Sequence, residues 1–300
     1  MSVLAHAGTS PWAWHAHPDV WSLVAVLAVG YWLALTRLGP SHVSPGEKVA
    51  SRFQVVSFAL GVAALWLHAD YPIHDVGEGY LFSVHMFQHI GFTLIAAPLL
   101  LLGLPSWLVR WLVQPRAVHW LVSRLARPLP AAVVFNTVVV LTHWPVVMNA
   151  SLRYHGVHLV VHMVIFTSAL LMWFPVLNRV PELPTMGHPA RMVYLFLQSV
   201  IPTVPASFLT FGRGVMYRFY AEAPRAFPFS AIDDQQLGGA LMKVYAGALL
   251  WVAIGVIFFR WYSGEQRDRA PDVLTWDDVE RELQRTEPAP PPRRTGSGRR

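Results

Sequence analysis

Residues 81–104 read LFSVHMFQHIGFTLIAAPLLLLGL. These twenty-four residues contain no Asp, Glu, Lys or Arg. As a helix they would cover about 36 Å, enough for the roughly 30 Å hydrocarbon layer of a bilayer. The stretch lacks the two-residue alternation of a barrel strand, so a membrane helix is the reading. Its apolar run is broken near one end by two imidazoles, His85 and His89.

Working outward, six more stretches have the same character: residues 20–38, 53–69, 130–150, 154–177, 190–211 and 239–262. Trp and Tyr gather at their ends (Trp12, Trp14, Trp21, Trp107, Trp111, Trp261 and Tyr262), as interfacial anchors do. The composition agrees. Of 300 residues 54% are hydrophobic and 13% charged, against roughly 25% charged in soluble domains. A mean hydropathy of +0.40 excludes a soluble enzyme and a disordered scaffold alike. The absence of cysteine excludes a disulfide-stapled module, thiolate metal sites and thiol catalysis. The expected fold is all-α: a polytopic membrane helix bundle with seven transmembrane helices and no internal repeat.

The net charge of +6 is spread over short loops and a tail, not along a stripe with interleaved aromatics, so no nucleic-acid partner is expected. Topology explains it better. With the N-terminus outside and the C-terminus inside, eighteen Lys and Arg face inward and five outward, a positive-inside bias. Residues 1–8 show neither the basic region nor the apolar core of a cleavable signal. The chain then divides into an extracytoplasmic arm (1–19), a membrane domain (20–262) and a cytoplasmic tail (263–300). In the tail, Thr275 with Asp278 has the form of a capping box opening a short amphipathic helix, and the Pro- and Arg-rich run after Pro288 reads as disordered.

Under this topology eleven of the fourteen histidines fall outside or in the outer half of a helix: His6, His15, His17, His68, His74, His85, His89, His143, His155, His158 and His162. Only His42, His119 and His188 lie inside. Helical rise puts His85 and His89 roughly 6 and 12 Å below the outer end of one span, His158 and His162 at matching depths in another, and His143 roughly 10 Å down a third. Residues four apart share a helix face, so His85 and His89 form one rail and His155, His158 and His162 another. Ionisable groups at this depth are costly and usually functional. The arrangement predicts a metal site built from His85, His89, His143, His158 and His162.

Without cysteine the remaining ligands are imidazole, carboxylate and thioether. Met86 and Met163 directly follow candidate ligands, and Met148 and Met242 lie near the outer ends of their spans. Thioether beside imidazole tilts the choice towards copper. Asp233 and Asp234, just before Gly238–Gly239, are read either as carboxylates favoured at a helix N-terminus or as partners that orient imidazole N–H groups. Pro202 and Pro205 predict a kink in the sixth span, and Lys243 is expected to snorkel. No Walker loop, dinucleotide fingerprint, nucleophile elbow or HExxH occurs; His85-Met-Phe-Gln-His89 has that last spacing with Met in place of the general base. No enzyme activity is expected.

Several motifs in order, His85-Met86-Phe87-Gln88-His89, His158-Leu-Val-Val-His162, Met172-Trp173-Phe174-Pro175, Pro189-Ala190-Arg191 with Tyr194-Leu195-Phe196, and Asp234-Gln235-Gln236-Leu237-Gly238-Gly239 with Met242, resemble the multi-span assembly factors of caa3-type cytochrome c oxidase. The resemblance covers about residues 20–262. It implies a multi-pass protein of the bacterial plasma membrane that serves as a copper chaperone, with oxidase subunits and a copper-donor protein as partners beside the lipid. By position, His85, His89, His158, His162 and Asp234 match the family's motif residues. Val161 and Asn149 stand where carboxylates are common in it, which implies a less negative site. Two rival readings stay open: a b-type cytochrome holding haem between facing histidines, and a transporter of metal ions or protons.

Overall fold

The computed structural model describes residues 10–269 and 276–286, and every regular element among them is a helix. The chain runs through α1 (Pro18–Ser41), α2 (Arg52–Ala69), α3 (Ile73–Gly79), α4 (Phe82–Gly103), α5 (Ser106–Val113), α6 (Arg116–Leu125), α7 (Pro128–Thr142), α8 (Pro145–Arg153), α9 (His155–Leu177), α10 (His188–Phe211), α11 (Arg218–Glu222), α12 (Ala231–Gln266) and α13 (Trp276–Thr286). Six of them are long and apolar enough to cross a membrane: α1, α2 together with α3, α4, α9, α10 and α12.

The expected fourth span, 130–150, is not one helix. Its first part, α7, has 15 residues, about 22 Å of rise, short of a bilayer. The chain breaks at His143–Trp144 because Pro145 has no amide with which to continue the ladder. α6 and α7 meet at 87°. A seventh span exists only if that bent pair is counted as one. The kink expected in the sixth span is present: α10 breaks at Ile201–Pro202. In the tail, α13 occupies the expected place; Thr275 and residues 287–300, and at the other end of the chain residues 1–9 with His6, lie outside the described residues.

α4 is the most enclosed span, with 61% of its apolar window buried against 6% for α1 and 11% for α12. Small residues let α2 close on it. A Cβ on Gly103 would stand 2.5 Å from the Phe58 side chain, and one on Gly91 2.1 Å from the His68 ring. Close backbone approach of this kind is how membrane helices gain packing without a hydrophobic driving force. The central core is apolar, built from Ala97, Phe135, Ala169, Met172, Trp173 and Leu195. Around the perimeter Val26, Leu60, Val133, Phe208, Trp251 and Phe259 are more than half exposed, as lipid-facing residues must be.

One end of the bundle is sealed by a plug of Phe82, Met148, Leu152, Leu209, Tyr217 and Tyr220. The Tyr217 hydroxyl donates to His143 O at 3.0 Å and the Tyr220 hydroxyl to Gly77 O at 2.7 Å. Burial pushes both phenols further above their ordinary range, so they remain neutral donors. Asn149 Oδ1 accepts from the Phe219 amide at 2.9 Å, which ties α8 to α11. The plug covers the histidines.

A candidate metal centre at the plugged end

Three helices deliver imidazoles beneath the plug, and the placement of α4 comes first. Its opening amides have no partners within the helix. Asp234, only 1% exposed, supplies them: Oδ2 accepts from Phe82 N at 2.7 Å, and Oδ1 accepts from Ser83 N at 3.0 Å and Ser83 Oγ at 2.6 Å. The sequence offered Asp234 as a metal-site residue orienting imidazole; the structure instead puts its carboxylate on the first turn of α4. It positions the helix that carries His85 and His89. Gly238 permits this, because a Cβ there would lie 2.4 Å from the Phe82 ring.

One turn further in, His85 and His89 of α4 meet His162 of α9. One ring nitrogen from each lies within 4.8 Å of the other two, and all three residues are buried. His89 Nε2 and His162 Nε2 are 3.1 Å apart. Nitrogens bound tetrahedrally at about 2 Å from one ion would be about 3.3 Å apart, so little adjustment is needed. His85 Nδ1 and His89 Nδ1 are buried without a hydrogen-bond partner, although buried polar groups nearly always have one.

His143, at the end of α7, stands beside this triad with its ring centre 5.8 Å from that of His89. Its Nδ1 lies 2.7 Å from Val139 O, which requires a proton on Nδ1. In the neutral ring Nε2 is then unprotonated, and it faces Met86 Sδ at 3.3 Å. A nitrogen and a sulfur lone pair thus converge. A cavity of about 70 Å³ runs from Met86, His89 and His143 towards Gln198 and Met242. Beneath it the Thr93 hydroxyl donates to His89 O at 2.7 Å, and α4 widens into i→i+5 turns over Gly91–Ala96; such turns recur at functional sites.

The second rail is only partly as expected. His158 and His162 point inward, their ring centres 3.9 Å apart. His155 instead faces out, its side chain 57% exposed and 3.8 Å from Asp19. His158 also turns away from the triad: its Nε2 contacts Glu78 Oε1, which lies 2.9 Å from His74 Nδ1. His74, Glu78 and His158 make a second cluster of ligand atoms within 4.8 Å. Sequence reasoning missed Glu78; its one signal is the i,i+4 pairing with His74. Among the methionines, Met163 faces outward, Met148 belongs to the plug, and Met242 lines the cavity. Asp70 serves structure, accepting from the indoles of Trp21 and Trp66 at 2.7 Å each. His68 lies buried against Gly91, with Nδ1 2.7 Å from Ala64 O.

Residues 29–264, from the middle of α1 to the last turns of α12, match the cytochrome c oxidase caa3 assembly factor family (Caa3_CtaG). The chain belongs to that family. Uncharacterized proteins of Mycobacterium bovis and Mycobacterium tuberculosis are each 25% identical to this caa3 assembly factor family member over 279 residues, 84% of this chain. The alignment spans 40% of the length of either relative. No solved structure matches.

Proposed function

We propose that this caa3 assembly factor homologue holds copper as cargo in the His85–His89–His162 triad and releases it to a cytochrome c oxidase subunit on the extracytoplasmic side. The observation that carries the reading is the convergence of three buried imidazoles, two of them with unpartnered Nδ1 atoms. The donors fit the ion. Three neutral imidazoles, with His143 and Met86 adjoining, bring no compensating negative charge, and such soft or borderline neutral ligands suit monovalent copper. In this chain Asp234 sets the depth of His85 and His89, Tyr217 and Phe82 keep water off the site, and His143–Met86 offers a second position next to the first. The protein acts as a chaperone in the bacterial plasma membrane and carries out no reaction of its own.

The two rival readings find less support. A haem between axial imidazoles needs a slot wide enough for a porphyrin, yet the Nε2 atoms of His89 and His162 are 3.1 Å apart and the adjoining cavity measures about 70 Å³. For a transporter, the polar residues would have to continue across the bundle. Away from the histidines the cavity is lined mainly by apolar side chains, among them Phe135, Ile165, Met172 and Leu250, with Gln198 paired to Asn136 at 2.7 Å.

Metal analysis and an absorption spectrum of the detergent-solubilised full chain, loaded with copper under reducing conditions, test the proposal. The parent is expected to retain copper and the His89→Ala/His162→Ala chain to lose it. Unchanged stoichiometry in the variant would move the site elsewhere, and a Soret band in the chain as isolated would turn the reading to haem.

A further inference from the structure

We infer that His74, Glu78 and His158 form a second metal site, distinct from the imidazole triad, that takes a divalent first-row cation such as zinc(II) or copper(II). Three observations carry it. The first is the ligand set: two imidazoles and one carboxylate whose donor atoms lie within 4.8 Å of one another. Two histidines and a glutamate, with a fourth position left open, are a common set for a divalent ion, and the carboxylate supplies the negative charge that the triad lacks.

The second is a buried carboxylate oxygen shared by two imidazoles. Glu78 Oε1 contacts two imidazole nitrogens, His158 Nε2 and His74 Nδ1, the latter at 2.9 Å. His74 Nδ1 also lies 3.1 Å from the Gln88 amide nitrogen. Each contact needs a cation between oxygen and nitrogen, a ring proton or a metal ion, and one metal ion would serve both. Glu78 is only 5% exposed, and a buried carboxylate is seldom left without a compensating charge.

The third is position. His17 stacks edge-on against His74 with ring centres 4.5 Å apart, while His17 Nε2 lies 3.1 Å from Asp75 Oδ1 and His15 Nδ1 lies 3.5 Å from Asp75 Oδ2. These two histidines belong to the segment before α1 and are partly exposed. On the other side, the His158 ring is 3.9 Å from that of His162. The second site therefore lies between the solvent-facing segment and the deep triad. It is placed to take an ion from outside and hold it one helical turn above the triad.

The inference stands on its own ligands and does not depend on what the triad binds. The test is a zinc(II) titration of the metal-free full chain in detergent, with bound zinc counted per polypeptide. Glu78→Gln keeps the side-chain size and removes the charge; His74→Ala, at the partly exposed rim, is a second variant that leaves α9 untouched. Each is expected to bind one zinc fewer than the parent, and His89→Ala/His162→Ala is expected to keep that zinc while losing copper. Zinc binding equal to the parent in both Glu78→Gln and His74→Ala would overturn the site. Loss of all zinc in His89→Ala/His162→Ala would overturn it too, because the six residues would then form one centre. Failure of copper retention with the zinc site intact would count against the triad alone.

Discussion

At the plugged end of the bundle, His85, His89, His143, His158 and His162 are at most 8% exposed, and each faces another histidine, Glu78 or Met86. At the opposite end, His42, His119 and His188 are all exposed. His42 turns Nδ1 to Leu38 O at 2.8 Å and rests near the Trp107 ring. The charged pair there, Arg110–Glu182, spans 3.3 Å with both side chains more than half exposed, a geometry worth about 1 kcal/mol or less. The same residue type is thus a solvated surface group at one end and a converging donor at the other. The difference is made by what lies above the rings. Tyr217, Tyr220 and Phe82 exclude water from one set, while water competes freely for the other.

Packing around α4 gives the largest effect with which to break this contrast. Gly91→Ala would drive a methyl into the His68 ring, which a Cβ would approach to 2.1 Å. Because Gly91 lies two residues after His89, a destabilisation of about 3 kcal/mol should accompany reduced copper retention. Gly30→Ala, with open space around its Cβ position, is the matched control and should leave both unchanged. Thermal denaturation in detergent reads the first quantity and metal analysis the second. A Gly91→Ala protein as stable as the control would mean that α2 and α4 are not locked together.

A smaller loss is expected at Asp234. Asp234→Asn turns one of the two accepting oxygens into a donor facing the amides of α4, at a cost of about 1–3 kcal/mol. Copper should then be held about tenfold less tightly, as when a group supporting a ligand is removed. A competition titration against a copper chelator measures it; parent-like affinity would detach Asp234 from the site altogether.

The smallest effects belong to the exposed histidines. His42→Ala, His119→Ala and His155→Ala should each change stability by less than about 0.5 kcal/mol and leave bound copper and zinc unaltered. A metal loss in any of them would erase the contrast between the two ends.

Much of this site was legible before any coordinates. The rails of His85 with His89 and of His158 with His162 follow from helical periodicity alone, and Met86 stands level with His143 because it adjoins His85 on α4. The break of α10 at Pro202 follows from a missing amide. Other features depended on approach between elements far apart in the chain. His155 shares a helix face with His158 by arithmetic, yet α9 is rotated so that it meets Asp19 instead. Asp234 and Phe82 are separated by 152 positions, and no local pattern says which helix N-terminus a carboxylate will serve. Glu78 is unremarkable in sequence because its significance arises when α9 brings His158 against it.

Composition and periodicity by themselves determined that this chain is a helical membrane bundle with imidazole concentrated towards one end, since apolar length and the 3.6-residue repeat are local properties. Only the tertiary structure decided that these imidazoles divide into an all-nitrogen triad and a histidine–carboxylate cluster. Which lone pairs face each other is set by the rotation and depth of α3, α4 and α9, and those are fixed by the close contacts of Gly91 and Gly238 and by the carboxylate of Asp234.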